Sequence, residues 1–249
     1  MSAFALVTGS SRGIGAATCR ALASRGWNVL GLARGPAPDG APEGGYEHAR
    51  LDLADLAALE RWARDELAPR LAGVRRVALV NNAALLAPVG PATELALDEL
   101  HRHVTVNLTA PIWLAGFVVA HAPPSAPVRV VNLSSGAATR AYPGWSAYCS
   151  SKAGLAMAGE VLAAEVEAHP ALAGRDLAVV TYAPHVVATA MQAELRAQSE
   201  RAFPMRGRFV ELAETGALVA PEGPAEEIAD LCGRDDLPLH SALRYQPPG

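Results

Sequence analysis

The sequence predicts an α/β fold: a doubly wound sheet of about seven parallel strands with helices on both faces. Three observations carry that prediction. Short apolar runs alternate with longer helical patterns along the whole chain, the order that builds parallel sheets. Several of the short runs are unbroken Val, Leu and Ala, as strands buried on both faces must be. A glycine-rich turn stands between the first strand pattern and the first helix pattern.

Taken in order, strand patterns fall at 4–8, 28–33, 46–50, 76–80, 128–133, 177–182 and 239–245, and helix patterns at 14–25, 55–71, 98–121, 147–168 and 225–232. No repeat and no internal boundary appears, so residues 1–249 read as one domain. Residues 35–45 (GPAPDGAPEGG) are a Gly/Pro loop where a helix would be expected. Residues 186–224 are long for a connection and read as a substrate lid. Its Met191, Leu195, Phe203, Met205 and Phe209 suit either an apolar cover or core packing.

Composition narrows the classes. With 51% hydrophobic and 18% charged residues, the 249-residue chain can bury a sizeable core and does not resemble a disordered one. A net charge of −4 argues against a nucleic-acid partner. The three cysteines, Cys19, Cys149 and Cys232, form no CxxC pair, so neither a metal site nor a disulfide framework is expected, and a reducing compartment fits. The N-terminus lacks a basic leader, and the longest apolar run, residues 110–120, is short for a bilayer. These features point to a cytoplasmic protein with no membrane partner.

The turn Thr8-Gly9-Ser10-Ser11-Arg12-Gly13-Ile14-Gly15 has the context a nucleotide-binding turn needs. Glycines permit a tight turn and close approach to a pyrophosphate, and a helix N-terminus offers free N–H groups to it. The fold expected is therefore of Rossmann type. The second strand ends Ala33-Arg34, with no acidic residue to take a ribose 2′-hydroxyl; Arg34 and Arg12 suit a 2′-phosphate, hence NADP(H) rather than NAD(H). The alternative is that both arginines are plain solvated surface.

Lys152 is the chain's sole lysine, among 21 Lys and Arg residues in all, and it lies one helical turn after Tyr148. An ammonium within about 4–6 Å of a phenol lowers the phenol's pKa by roughly 1–3 units, which would make Tyr148 a proton donor to a carbonyl. His101 and His103 sit in a polar stretch and read as solvated or capping side chains, not metal ligands; no metal cluster is seen.

TGSSRGIG, Leu51-Asp52, Asn81-Asn82-Ala83, Asn107, Ser135 and Tyr148-x-x-x-Lys152 together resemble the short-chain dehydrogenase/reductase family over nearly the whole chain. Gly144-Trp145-Ser146-Ala147-Tyr148-Cys149 and Tyr182-Ala183-Pro184, followed by Thr189-Ala190-Met191-Gln192, look most like its sepiapterin reductase and benzil reductase branch. The resemblance implies a catalytic set of Asn107, Ser135, Tyr148 and Lys152. Tyr148 would donate the proton, Ser135 would hold the carbonyl oxygen, and Lys152 would depress the Tyr148 pKa and bind the nicotinamide ribose. Asn107 would hold a relay water. It implies cofactor contacts from Gly9, Ser11, Arg12, Gly13, Ile14, Gly15, Arg34, Asp52, Leu53, Asn82, Ala83, Pro184, Val187 and Thr189, as well as Tyr148 and Lys152. Asp52 would touch the adenine edge and Asn82 the ribose region, although Asn107 and Asp52 also suit capping or helix-interior roles.

The chain departs from the family pattern at the 35–45 loop, which replaces the family's usual second helix, and at three single residues. Ala84 and His185 stand where glycine is usual, and Arg244 stands near where sepiapterin reductase carries an acidic pterin anchor, which makes a pterin substrate doubtful. His185 either reaches the substrate pocket or is a bland loop residue; Tyr142, Trp145 and Met191 are the other pocket candidates. The expected activity is NADPH-dependent reduction of a small ketone, a 1,2-dicarbonyl. An NADP-dependent alcohol dehydrogenase and a non-catalytic NADP(H) sensor are the alternatives. The family usually pairs its two long helices across a two-fold axis, so a homodimer is expected; the tail 246–249, without a glycine-rich ending, speaks against a tetramer.

Overall fold

The computed structural model describes residues 3–247. Pro248 and Gly249 of the tail lie outside the described residues. Strand β1 (Ala3–Thr8) leads through the glycine turn into α1 (Gly13–Ser24) and β2 (Asn28–Ala33). The Gly/Pro segment after β2 forms no helix, and β3 (Tyr46–Arg50) follows directly. Then come α2 (Leu56–Trp62), a π turn (Ala63–Leu67) and α3 (Ala68–Leu71), which together fill the span expected as one helix. Beyond β4 (Arg76–Asn81) lie α4 (Leu97–Val104), a second π turn (Thr105–Thr109) and α5 (Ala110–His121). The chain continues through β5 (Val128–Leu133), the 23-residue α6 (Ser146–Ala168) and β6 (Leu177–Ala183). Helices α7 (Ala190–Arg196), α8 (Arg206–Glu214) and α9 (Glu222–Gly233) precede β7 (His240–Arg244).

All seven strands pair in parallel in the order β3-β2-β1-β4-β5-β6-β7. Alternating side chains feed two cores, as the two-residue repeat of a strand requires. Phe4 and Leu6 of β1 and Val77 and Leu79 of β4 pack under Leu59, Leu114 and Val166. Their neighbours Ala5, Val7, Ala78 and Val80 pack under Cys19 and Leu22 of α1 and Ile228 and Leu231 of α9. The apolar run 110–120 belongs to a longer helical stretch, Leu97–His121, which by length and composition alone could cross a membrane. Leu114 and Val118, however, are fully buried in the sheet's core.

The segment 186–224 is not a structureless loop. Its α7 and α8 bring Leu195, Phe203 and Phe209 onto Leu86, Trp145 and Tyr148, making a third, smaller core above the strand ends. Phe203 is fully buried, so cover and core are here the same packing. Gly144 permits it: its φ is +89°, and a Cβ there would collide with the Ala202 carbonyl oxygen.

Candidate functional site

β1 and β4 are sequence-distant neighbours at which the winding of the sheet reverses, and ligands of such sheets bind beyond the strands' C-terminal ends at that point. A cavity of about 990 Å³ opens there. The glycine turn forms one wall. Gly9 (φ +68°) and Gly13 (φ +56°) take left-handed backbone that glycine adopts freely. A Cβ on Gly9 would lie 2.7 Å from Asn82 Nδ2, so turn and β4 touch backbone to side chain. Asn82 Nδ2 donates to Thr8 O (2.8 Å) and Gly9 O (3.1 Å), while Thr8 Oγ1 accepts from the N–H groups of Asn82 (3.1 Å) and Ala83 (3.0 Å). Asn82 thus braces the turn. Gly15 does not line the cavity; it lets α1 pass against the Gly9 carbonyl.

The α1 N-terminus has no side-chain cap, which leaves first-turn N–H groups open toward the cavity. Ser11, Arg12, Gly13, Ile14 and Arg34 line this end. Across it stand Leu53, Ala83, Pro184, Val187 and Thr189, the last facing Gly13. Free N–H groups, a cradle that any Cβ would fill and two unpaired guanidiniums fit the pyrophosphate and phosphates of a dinucleotide. Asp52 also lines the cavity, but both its oxygens are engaged, by Ala54 N–H (3.0 Å) and Arg102 (2.6 Å). Burial pushes its carboxyl up, and those two donors outweigh burial, holding its pKa below the usual value.

At the other end stand Ser135, Tyr148 and Lys152. Ser135 follows β5 and caps a single 3-10 turn, accepting from Ala137 N–H at 3.2 Å. Tyr148 and Lys152 share a face of α6, with Lys152 Nζ 5.7 Å from the Tyr148 ring centre and donating to Leu133 O at 2.6 Å. The expected depression of the Tyr148 pKa by Lys152 is overturned. Burial drives the phenol up to about 12, and the hydrogen bond from Ser135 only partly opposes it. Burial also lowers Lys152 to about 8. Closeness in sequence brought the two together, but burial, not the ammonium, sets the direction of the Tyr148 shift.

Asn107 sits in the second π turn and is fully buried outside the cavity lining. Its side chain is not free to hold a water in the way expected. Oδ1 accepts from Leu85 N–H (2.8 Å), and Nδ2 donates to Leu85 O (2.9 Å) and to His103 Nε2 (3.0 Å). His103 is the residue that sequence reasoning misplaced: it is fully buried, not solvated. Its Nδ1 lies 2.7 Å from Ala87 O; a carbonyl can only accept, so Nδ1 carries the proton and Nε2 accepts. Nε2 is also 3.1 Å from Ser151 Oγ, next to Lys152, and the ring meets Tyr148 edge-on at 6.2 Å. Burial lowers its pKa against the Ala87 carbonyl, and the Lys152 charge lowers it further. The signal was present in the i, i+4 spacing of His103 and Asn107, hidden among polar neighbours.

The pocket candidates converge. Trp145 lies between Tyr148 (5.1 Å, ring centres) and Phe203 (4.6 Å), with Tyr142 at 5.2 Å and Phe209 at 5.7 Å. Met191 and His185 line the same cavity. His185 keeps the glycine-type backbone, φ +68°, which histidine tolerates better than most residues. Among the described residues no group of three His, Cys, Asp or Glu side chains is placed to hold a metal.

A family sequence model described as short chain dehydrogenase matches residues 3–200. The chain is 37% identical to a Bacillus subtilis benzil reductase ((S)-benzoin forming) over 224 residues, covering 87% of this chain and 88% of that protein. It is 33% identical to mouse sepiapterin reductase over 193 residues, covering 75% and 70% respectively. The solved structure of the KRED1-Pglu enzyme superposes with a TM-score of 0.79 at 28% identity, covering 96% of this chain and 99% of that one.

Replacing His103 by Leu leaves a buried Asn107 N–H unpaired, costing roughly 1–3 kcal/mol. Because the folded-state pKa of His103 is lowered, the unfolded chain binds more protons as pH falls through about 6.5, and stability is lost on that side. Thermal melts across pH 5–8 should show a lower melting temperature for His103→Leu and a shallower acid-side loss than in the parent.

Proposed function

The chain belongs to the short-chain dehydrogenase family, and within it we propose an NADPH-dependent reductase of small ketones that carry a second carbonyl, as in 1,2-dicarbonyls. The observation that carries this reading is the Ser135–Tyr148 hydroxyl pair above Lys152, walled by Tyr142, Trp145 and Met191. A bound nicotinamide cofactor supplies a hydride to the keto carbon. Tyr148 then gives its proton to the keto oxygen, and Ser135 donates a hydrogen bond to that oxygen as charge develops. At neutral pH the phenol carries the proton it is to give; burial, which pushes its pKa up to about 12, makes it a weak acid, so the charge developing on the keto oxygen must draw that proton off. Lys152 holds the nicotinamide ribose and compensates charge left on Tyr148. Asn107 acts as a positioning residue for the Leu85 backbone. A non-catalytic sensor would have no use for the Ser135, Tyr148 and Lys152 arrangement.

Preference for the 2′-phosphate rests on Arg34, on Arg12 and on neutral Ala33 at the end of β2. Residues 186–224 act as the substrate lid. Dimerisation is drawn from α5 and α6, where Ile112, Met157 and Val161 are exposed, and cytoplasmic residence from three cysteines that form no CxxC pair.

Tyr148→Phe should abolish reduction of benzil while NADPH binding, followed by fluorescence titration, persists; retained turnover would remove Tyr148 as donor. Arg34→Ala should weaken NADPH by roughly tenfold or more, the loss of one charged hydrogen bond, and leave NADH little changed. In a pH series, turnover should fall above about pH 8 as Lys152 loses its proton; a flat profile to pH 10 would contradict that role. Light scattering at micromolar concentration should give twice the chain mass.

A further inference from the structure

Most arginines of this chain are tied to a carboxylate or a backbone carbonyl. Arg12, Arg34, Arg140, Arg208 and Arg244 make no side-chain hydrogen bond or ion pair to any described residue, and all five line the one 990 Å³ cavity. Elsewhere among the described residues only Arg50 and Arg61 lack such a partner. Asp52 is the sole acidic residue lining the cavity; Arg102 occupies it at 2.6 Å, and the Arg34 charge acts on it from farther off. A chain of net charge −4 thus concentrates its unpaired positive charge in one cleft. Such clefts focus field and draw in anions.

Position divides the five. Arg12 follows β1 and Arg34 follows β2, at the dinucleotide end. The other three lie across the sheet, at the ends of β5 and β7 and on the lid. The Arg140 carbonyl accepts from Cys149 Sγ (3.6 Å), the residue after Tyr148. Arg208 precedes Phe209, whose ring is 5.7 Å from that of Trp145, itself 5.1 Å from Tyr148. Arg244 pairs in register with Ala183, at the start of the Ala183-Pro184-His185 wall. A cofactor held at the glycine turn accounts for the first pair and not for these three.

We propose that the physiological substrate is an anion: a 2-oxo carboxylate with an aryl-sized apolar substituent. This rests on the reduction reading above and narrows its substrate. The carboxylate is the second carbonyl group beside the ketone. Arg140 and Arg208 bind it, using the forked donors that match carboxylate geometry, while Tyr142, Trp145 and Phe209 take the ring. The reaction is unchanged in its balance: the keto carbon gains the cofactor's hydride, the keto oxygen gains the Tyr148 proton, the oxidised cofactor leaves, and the carboxylate is carried through to a 2-hydroxy acid.

Phenylglyoxylate and 1-phenyl-1,2-propanedione are the test pair, since they differ in little more than carboxylate against acetyl. With NADPH, the parent protein should favour phenylglyoxylate in kcat/KM by roughly tenfold to a hundredfold, the worth of one charge-assisted hydrogen bond. That preference should shrink with added salt. In Arg140→Ala/Arg208→Ala the preference should collapse toward one, and in Arg140→Lys/Arg208→Lys it should be partly kept, with the NADPH dissociation constant unmoved in both. Both side chains are exposed, so folding is not at stake. Turnover of the dione without preference for the acid, or a preference untouched in the double alanine variant, overturns the inference and leaves the reduction reading standing. A weakened NADPH affinity in that variant also overturns it, by assigning the arginines to the cofactor. Failure to reduce either compound while NADPH binds defeats the reduction reading, and the inference with it.

Discussion

The lacing of β1 to β4 is the constraint on which the rest depends. These strands are hydrogen-bonded neighbours, yet the chain leaves them in opposite directions. Where it does so, the Asn82 amide donates to two carbonyls of the glycine turn and Thr8 Oγ1 gathers the N–H groups of the two residues that follow β4. Four polar contacts hold open a crevice that hydrophobic packing alone would close. They also aim the α1 N-terminus at it and set the distance between the turn and the far strands that carry Ser135 and Pro184.

Behind the crevice lies an unusual concentration of buried polarity. Lys152 is 3% exposed and rests on one backbone carbonyl. His103, Asn107 and Ser151 form a neutral network one layer deeper, in which every donor of Asn107 has an acceptor. Burying polar groups is costly unless they are paired, and here the pairing fixes the π turn and hence the spacing of α4 and α6. The same low-dielectric setting explains why the tyrosine is raised and the lysine lowered: each group is pushed toward its uncharged form.

Much of this was legible in the sequence. Unbroken runs such as those at 77–80 and 177–180 announced doubly covered strands, and the order of elements then fixed the sheet. The glycine turn and the Tyr148–Lys152 spacing located both ends of the cavity. What stayed hidden was tertiary. Helices α7 and α8 are short, seven and nine residues, and neither has a side-chain cap to signal its start. His103 looked solvated because its sequence neighbours are polar; its partners, Ala87 and Ser151, lie 16 and 48 positions away. The Tyr148 pKa followed from desolvation, which no spacing rule reports.

The aromatic packing of residues 186–224 has a consequence for the chemistry beneath it. Phe203 and Phe209 press on Trp145, and Trp145 on Tyr148, so the packing that seats this segment also helps to bury the phenol. Loosening these rings would rehydrate Tyr148 and relax its pKa toward the ordinary tyrosine value. Acid strength and ring packing are therefore one thermodynamic coordinate: the more tightly the rings close over the tyrosine, the more firmly it keeps its proton and the weaker an acid it becomes.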